Sequence, residues 1–211
     1  MPRRLRQSFF ARDVLVVAPD LLGCTVSRGG VTVRLTEVEA YAGYLHDPGS
    51  HAYRGRTPRT APMFGPGGVT YVYFTYGMHW CLNLVTGPAG SAQGVLLRAG
   101  EVVAGVDAAA ARRAGVSPRD WCRGPARLAT TLGVTGVDSG LGFCPPHPDV
   151  DLVLRARATP VDSTRVRVGP RVGVSGPGGD GQAYPWRFFL DGETSVSVYR
   201  PAKSRVPKGP T

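Results

Sequence analysis

The run Val31-Thr-Val-Arg-Leu-Thr-Glu-Val-Glu-Ala-Tyr41 constrains the fold more than any other segment of the chain. Its apolar residues alternate at Val31, Val33 and Leu35 and then change parity to Val38 and Ala40. Side chains of a strand alternate between faces, so both sets can meet one core only if an extra residue slips in between them. The spacing predicts a strand with a β-bulge near Thr36 and Glu37, a device frequent beside active sites. Beyond the bulge, Glu39 and Tyr41 share the face opposite Val38 and Ala40. Residues 24–28 read as the preceding strand, joined to this one through Gly29-Gly30.

The remaining chain is punctuated by glycine and proline. Residues 11–22 carry a helical pattern, whereas residues 43–68, rich in Gly, Pro, Arg and His, show no apolar period. They predict a long ordered loop of the kind that carries function. Strands over 71–75 and 78–85 meet at a hairpin tip, Tyr76-Gly77, and 94–99 reads as a buried strand. A helix over 106–114 closes at Gly115, with helical pieces after Ser117-Pro118 and Gly124-Pro125. Further strands are predicted over 150–157, 164–168, 172–174, 186–190 and 195–199. Residues 176–185 read as a loop, and 201–211 as a flexible basic tail.

Many short strands with helices between them, and no regular βα alternation, point to an α+β chain. The expected architecture is a single domain built on a curved, mostly antiparallel sheet, with inserted helices and a protruding β-hairpin. Two glycine clusters, Gly65-Pro66-Gly67-Gly68 and Gly176-Pro177-Gly178-Gly179, lack the GK[ST] of a phosphate loop and read as turns.

The chain has 211 residues, 42% of them hydrophobic, enough for one substantial core and short for two. Its formal charge is +10. A polyanion such as nucleic acid gains from neutralisation by such a surface, although charge alone does not separate that partner from a merely solvated basic face. No stretch reaches the roughly 18 to 20 apolar residues of a spanning helix, and MPRRLRQSFF lacks the apolar run of a secretory signal. A cytoplasmic protein without a membrane partner is expected. Cys24, Cys81, Cys122 and Cys144 stand singly, and His46, His51, His79 and His147 lack ligand spacing. The cysteines read as buried free thiols, and neither a metal nor another cofactor is inferred.

The densest stretch is Tyr71-Val-Tyr-Phe-Thr-Tyr-Gly-Met-His-Trp-Cys-Leu-Asn83. Alternation puts Tyr71 and Tyr73 on one face and Val72 and Phe74 on the other. Val72, Phe74, Trp80 and Leu82 read as core or cross-strand packing. Tyr76, at a tip beside glycine, cannot easily reach a core, and in a basic protein it is placed to wedge between base pairs. Chemistry on a base requires the base to leave the stack and to be held between aromatic rings, a part Tyr41 and Tyr73 could play. Hydrolysis of an N-glycosidic bond passes through an oxocarbenium-like state that suits a carboxylate able to deprotonate water. Strand parity offers Glu37 and Glu39 equally.

Taken together, Thr36-Glu-Val-Glu-Ala-Tyr41, His51, Thr57-Pro-Arg59, Met63-Phe64, Tyr71-Val-Tyr-Phe-Thr-Tyr-Gly-Met78, Asn83, Val95-Leu-Leu-Arg98, Gly124-Pro-Ala-Arg-Leu128 and Gly169-Pro-Arg-Val-Gly173 resemble the alkyladenine (3-methyladenine) DNA glycosylases, in order and over nearly the whole chain. The resemblance implies a DNA glycosylase domain over 1–200 that excises alkylated or deaminated purines from double-stranded DNA as a monomer, in the cytoplasm and, in a bacterium, on the nucleoid. It chooses Glu39 as general base, holding the attacking water with Arg98 and the Val172 carbonyl. It makes Tyr41 and Tyr73 the walls around the flipped base, with His51 stacking or hydrogen bonding from the Tyr41 side, and Asn83 the residue that clashes with the amino group of guanine. Tyr76 would fill the vacated gap with Met78 nearby, while Thr57, Arg59, Met63 and Gly173 would follow the phosphates. The segment 52–56 and the loop 175–185 depart from the family pattern.

Three other readings compete. A bifunctional glycosylase–lyase needs an amine, and the only lysines are Lys203 and Lys208 in the tail, leaving the Pro2 terminus. A lesion-binding protein could use the same aromatics without cutting. A helix-hairpin-helix turn over 132–137 is cut short by Gly140, Gly142 and Pro145-Pro146.

Overall fold

The structure is a computed structural model that describes residues 2–145 and 150–202. His147 and the tail from Lys203 onward lie outside the described residues. At the centre of the fold is β2 (Val31–Tyr41), which has β5 (Gln93–Ala104) along one side and two strands in succession along the other. Before the bulge its partner is β1 (Thr25–Arg28), at Val31 to Arg34, and after it β8 (Arg187–Leu190), at Glu37 to Glu39. The parity change read from the sequence is therefore the point at which β2 exchanges one neighbour for another.

The register with β5 pairs Leu35 with Gly100 and Glu37 with Ala99, so Thr36 is the extra residue on β2. The next pair is Val38 with Leu97, which leaves Arg98 as an extra residue on β5. Two bulges thus face each other, and a bulge re-aims the side chain it carries. Past them both faces of β2 are covered, and Thr36, Glu37, Val38, Glu39 and Ala40 are all inaccessible to solvent.

β3 (Thr70–Thr75) and β4 (His79–Thr86) form the hairpin, and the sheet runs β3-β4-β5-β2-β1-β6, with β6 at Val153–Arg155; β8 also pairs with β7 (Val166–Gly169), and every pairing is antiparallel. The helices α1 (Gln7–Phe10), α2 (Val14–Asp20), α3 (Val106–Arg112) and α4 (Pro125–Leu132) are inserted around this sheet, giving the α+β class. Asp13 caps α2 by accepting the Leu15 N–H. Proline at the first position and a left-handed Gly133 past the end bound α4, which buries Leu128, Ala129, Thr131 and Leu132 over β4 and β5. Among the described residues no helix is long and apolar enough to cross a membrane.

Several expectations are corrected. Residues 172–174 turn instead of forming a strand, because the Val172 N–H is given to a carboxylate and Gly173 adopts φ +74°. Residues 195–199 form no ladder either: the Ser197 N–H goes to Glu37, and the Val196 and Ser197 carbonyls accept from Arg123 and Arg187. The predicted strand over 150–157 shrinks to β6, and the helix over 106–114 ends at Arg112. Phe74, 45% exposed, takes the cross-strand alternative of its reading and packs on its ladder partner Trp80, ring centres 4.6 Å apart. All four cysteines are buried and free.

Candidate active site

The second half of β2 directs Glu37 and Glu39 away from the apolar core, and the bulge on β5 brings Arg98 between them. Glu37 Oε1 accepts from Arg98 Nε at 2.9 Å, Arg187 Nε at 2.7 Å and Ser197 Oγ at 2.8 Å, and Oε2 accepts the Ser197 N–H at 2.8 Å. Burial would raise the Glu37 pKa, but Arg98, Arg187 and the Ser197 N–H outweigh it and hold the carboxyl below its usual range. Glu39 has fewer partners. Its Oε1 accepts the Val172 N–H at 2.7 Å with Arg98 Nη1 at 3.4 Å, and its Oε2 accepts the Tyr41 hydroxyl at 2.9 Å. The two carboxylates that parity left equivalent thus differ: Glu37 is consumed by its donors, whereas each Glu39 oxygen has a single hydrogen bond and capacity for another.

Two carboxylates face two guanidiniums in this cluster, so the buried formal charges balance. Desolvation opposes the charge on Arg98, but Glu39 and Glu37 more than compensate and raise its pKa. Burial and the neighbouring Glu39 push the Tyr41 phenol well above its ordinary value, so it remains a donor.

In front of this cluster opens a cavity of about 440 Å³, lined among others by Tyr41, His51, Met63, Tyr71, Tyr73, Asn83, Arg98, Val172 and Gly173. Glu39 is one layer behind the lining, reached through Tyr41, Arg98 and Val172. The Asn83 Nδ2 donates to the Tyr71 carbonyl at 3.1 Å, which fixes its orientation. His51 Nδ1 lies 3.1 Å from the Tyr71 hydroxyl, and its ring meets Tyr73 edge-on with centres 4.6 Å apart. His51 thus contacts Tyr71 and Tyr73. His51 is exposed as a residue, but partial desolvation of its ring against the tyrosines, and secondarily the Arg59 guanidinium, lower its pKa to about 4.

At the rim, Tyr76 is 84% and Met78 68% exposed on the hairpin tip. Both central residues of that turn have positive φ, 52° at Tyr76 and 67° at Gly77, the signs a tight hairpin turn requires. A tyrosine held in that region is strained and projects from the sheet. Thr57, Arg59 and Gly173 are exposed, and Arg59 leans over Tyr73, 5.5 Å from the ring centre. Met63 sits deeper than these three. Its side chain is 3% exposed in the cavity wall and its N–H is given to the Thr60 carbonyl.

Sequence reasoning assigned no role to Asp47, Tyr71, Cys81, Arg171, Arg187 or Ser197, all of which bear on the site. Tyr71 carried a signal, since alternation set it beside Tyr73. Asp47 lies in an unpatterned loop and Arg187 in a short strand, and only the tertiary fold brings them in. Pro2, the terminus a lyase would need, lines a separate surface depression with Gly23, Thr25 and Arg157. Among the described residues no group of three or more His, Cys, Asp or Glu is gathered to hold a metal.

Residues 8–194 match the family model described as methylpurine-DNA glycosylase (MPG). The chain is 53% identical over 201 residues to a protein of Frankia casuarinae, covering 92% of each, and 52% identical over 201 residues to one of Streptomyces avermitilis, covering 93% of this chain and 92% of the relative. A Burkholderia lata protein is 45% identical over 195 residues, covering 92% and 90%. All three bear the name "Putative 3-methyladenine DNA glycosylase". The chain belongs to the methylpurine-DNA glycosylase family.

Proposed function

We propose that this chain is a monofunctional DNA glycosylase that hydrolyses the N-glycosidic bond of flipped alkylated or deaminated purines, of the 3-methyladenine and hypoxanthine type, in double-stranded DNA. The observation that carries the reading is Glu39, a fully buried carboxylate bonded to two groups, the Tyr41 hydroxyl and the Val172 N–H, that border an aromatic cavity.

In this reading the base enters between Tyr41 and Tyr73, and Tyr76 fills the gap it leaves. A water held by Glu39, Arg98 and the Val172 carbonyl attacks the anomeric carbon. Glu39 takes its proton, the electron pair of the glycosidic bond leaves with the base, and the sugar remains as an intact abasic site. The negative carboxylate also offsets positive charge developing on the sugar. Asn83, held by Tyr71, excludes the exocyclic amino group of guanine. Thr57, Arg59, Met63 and Gly173 lie along the phosphates around the lesion, with Met78 beside Tyr76. Residues 1–200 act as one domain and monomer in the cytoplasm, on nucleoid DNA in a bacterium, with 201–211 as a basic tail. Four free thiols agree with a reducing compartment.

The test is single-turnover release of 3-methyladenine and hypoxanthine from duplex DNA by the wild-type chain and Glu39→Gln. Release by wild type and its loss in E39Q support the proposal; full release by E39Q overturns it. Lesion binding by wild type with no abasic product over many hours points to a non-catalytic lesion sensor, and a borohydride-trapped covalent adduct points to a lyase.

A further inference from the structure

The Asp47–Arg171 pair lies fully buried behind Tyr41, where neither side chain meets solvent. Arg171 Nη1 donates to Asp47 Oδ2 at 2.6 Å and to the Ala40 carbonyl at 3.1 Å, and Nη2 donates to Asp47 Oδ1 at 2.8 Å and to the Gly178 carbonyl at 2.6 Å. Such a two-pronged contact fixes orientation as well as distance. Asp47 in turn accepts the N–H groups of Ala42 and Gly49, pinning both ends of the loop that leads to His51. Glycine is required where these segments meet, since a Cβ on Gly178 would overlap the Gly49 backbone.

The guanidinium also stacks on Tyr41, 4.5 Å from the ring centre, with Trp186 at 5.4 Å and Tyr184 at 5.6 Å. One face of Tyr41 is thus occupied by a cation, and the same residue lines the cavity. Val172, the next residue in the chain, gives its N–H to Glu39, and Tyr41 gives Glu39 its hydroxyl. Both hydrogen bonds to Glu39 therefore come from residues that Arg171 holds, one by stacking and one by the peptide bond.

Resting on the function proposed above, we infer that Arg171 and Asp47 are positioning residues: together they set the Tyr41 ring against the flipped base and aim Glu39 at the sugar. The arrangement is costly for stability alone. A buried ion pair replaced by well-packed apolar groups of similar volume is often neutral or stabilising, whereas removal of one partner is strongly destabilising. Beyond the four backbone groups that the pair satisfies, stability alone does not account for burying two charges here, while the geometry of Tyr41 and Glu39 does.

That contrast supplies the experiment. The double substitution D47L/R171M keeps volume and removes both charges, and R171K keeps the charge but loses the planar fork. For each chain three quantities are measured: thermal midpoint, affinity for a duplex with a stable abasic site, which presents no base to stack, and single-turnover release of hypoxanthine. The expected result for D47L/R171M is a lowered midpoint, since the backbone groups of Ala40, Ala42, Gly49 and Gly178 lose their partners, with abasic-site affinity of the folded chain within about twofold of wild type and release slowed by roughly 100-fold, the cost of misplacing reacting groups by an ångström. R171K is expected to restore no more than a small part of that rate. Wild-type release rates in D47L/R171M, or abasic-site affinity falling in proportion to the rate, overturn the inference. If D47L/R171M does not fold, D47N carries the same three measurements, with the same outcomes deciding. Wild-type failure to release any base, by contrast, strikes the proposed function and not this pair.

Discussion

Glu37 anchors Arg98: its Oε1 accepts the Arg98 Nε–H at 2.9 Å in a setting closed to solvent, and the same guanidinium then reaches to 3.4 Å from Glu39. Arg98 owes that placement to the extra residue on β5, and Glu37 owes its own to the extra residue on β2. Two neighbouring carboxylates on one strand face consequently have different surroundings, one holding the arginine and the other keeping acceptor capacity behind the cavity lining.

This division predicts opposite phenotypes for two like substitutions. Glu37→Gln leaves Arg98 and Arg187 without their shared buried partner and should cost about 3–5 kcal/mol of stability. Glu39→Gln keeps its volume and should change stability far less, while slowing base release by roughly 10²- to 10⁴-fold, the usual worth of a general base. Chemical denaturation and single-turnover kinetics on both variants check this. Equal stability losses would show that the two residues are not so divided. Because the Glu37 pKa is depressed in the folded state, its contribution is present above the ordinary value of 4.5 and is lost as pH falls through the lower folded value, so acid denaturation should begin later in E37Q relative to its neutral stability.

Much of this arrangement was legible in the chain. The parity change between Leu35 and Val38 gave the bulge, and alternation paired Tyr71 with Tyr73, because a two-residue period is a local property. The resemblance selected Glu39 where parity could not. What stayed hidden was non-local. Residues 172–174 and 195–199 have strand-like composition, but their backbone groups are claimed by Glu39, Glu37, Arg123 and Arg187 from distant segments. Arg98 read as one residue of a buried strand, and only the register with β2 exposes it as the bulge. Asp47 meets Arg171 across 124 residues of sequence, a separation at which no periodicity survives.

Tyr76→Ala should weaken capture of the flipped base more than bond cleavage. The side chain is 84% exposed and packs on no core, so removing it should change stability by no more than about 0.5 kcal/mol. Loss of a wedge or stacking contact is worth about 1–3 kcal/mol, or roughly 5- to 150-fold in the flipping equilibrium. Stopped-flow fluorescence of a base analogue opposite or beside the lesion separates capture from chemistry. Equal losses in both steps would make Tyr76 a structural residue.

His51 gives a pH signature. Its folded pKa of about 4 lies below the ordinary 6.5, so as pH falls the unfolded chain takes up the proton first. The stability it contributes is therefore complete above 6.5 and declines toward 4, moderated by solvent at the exposed edge of the ring. Protonation would also set a second positive charge beside Arg59 at the cavity mouth. Substitution by Gln should flatten the acid limb of stability between those two values. An unchanged limb would mean that His51 titrates near 6.5 in the folded chain.

Affinity for DNA should fall steeply with salt, because each neutralised phosphate contributes a slope of about −0.9 in log K against log salt. Arg59 is exposed at the rim while leaning on Tyr73, so it is offered to the backbone in a held orientation. Arg59→Gln should reduce the slope by about one such unit, equally for undamaged and lesion-bearing duplex, since a phosphate contact carries no base information. Arg171, buried under Tyr41, supplies the comparison: R171K should leave the slope unchanged while slowing release. If R171K lowers the slope as R59Q does, the buried arginine touches phosphate and its assignment behind Tyr41 fails.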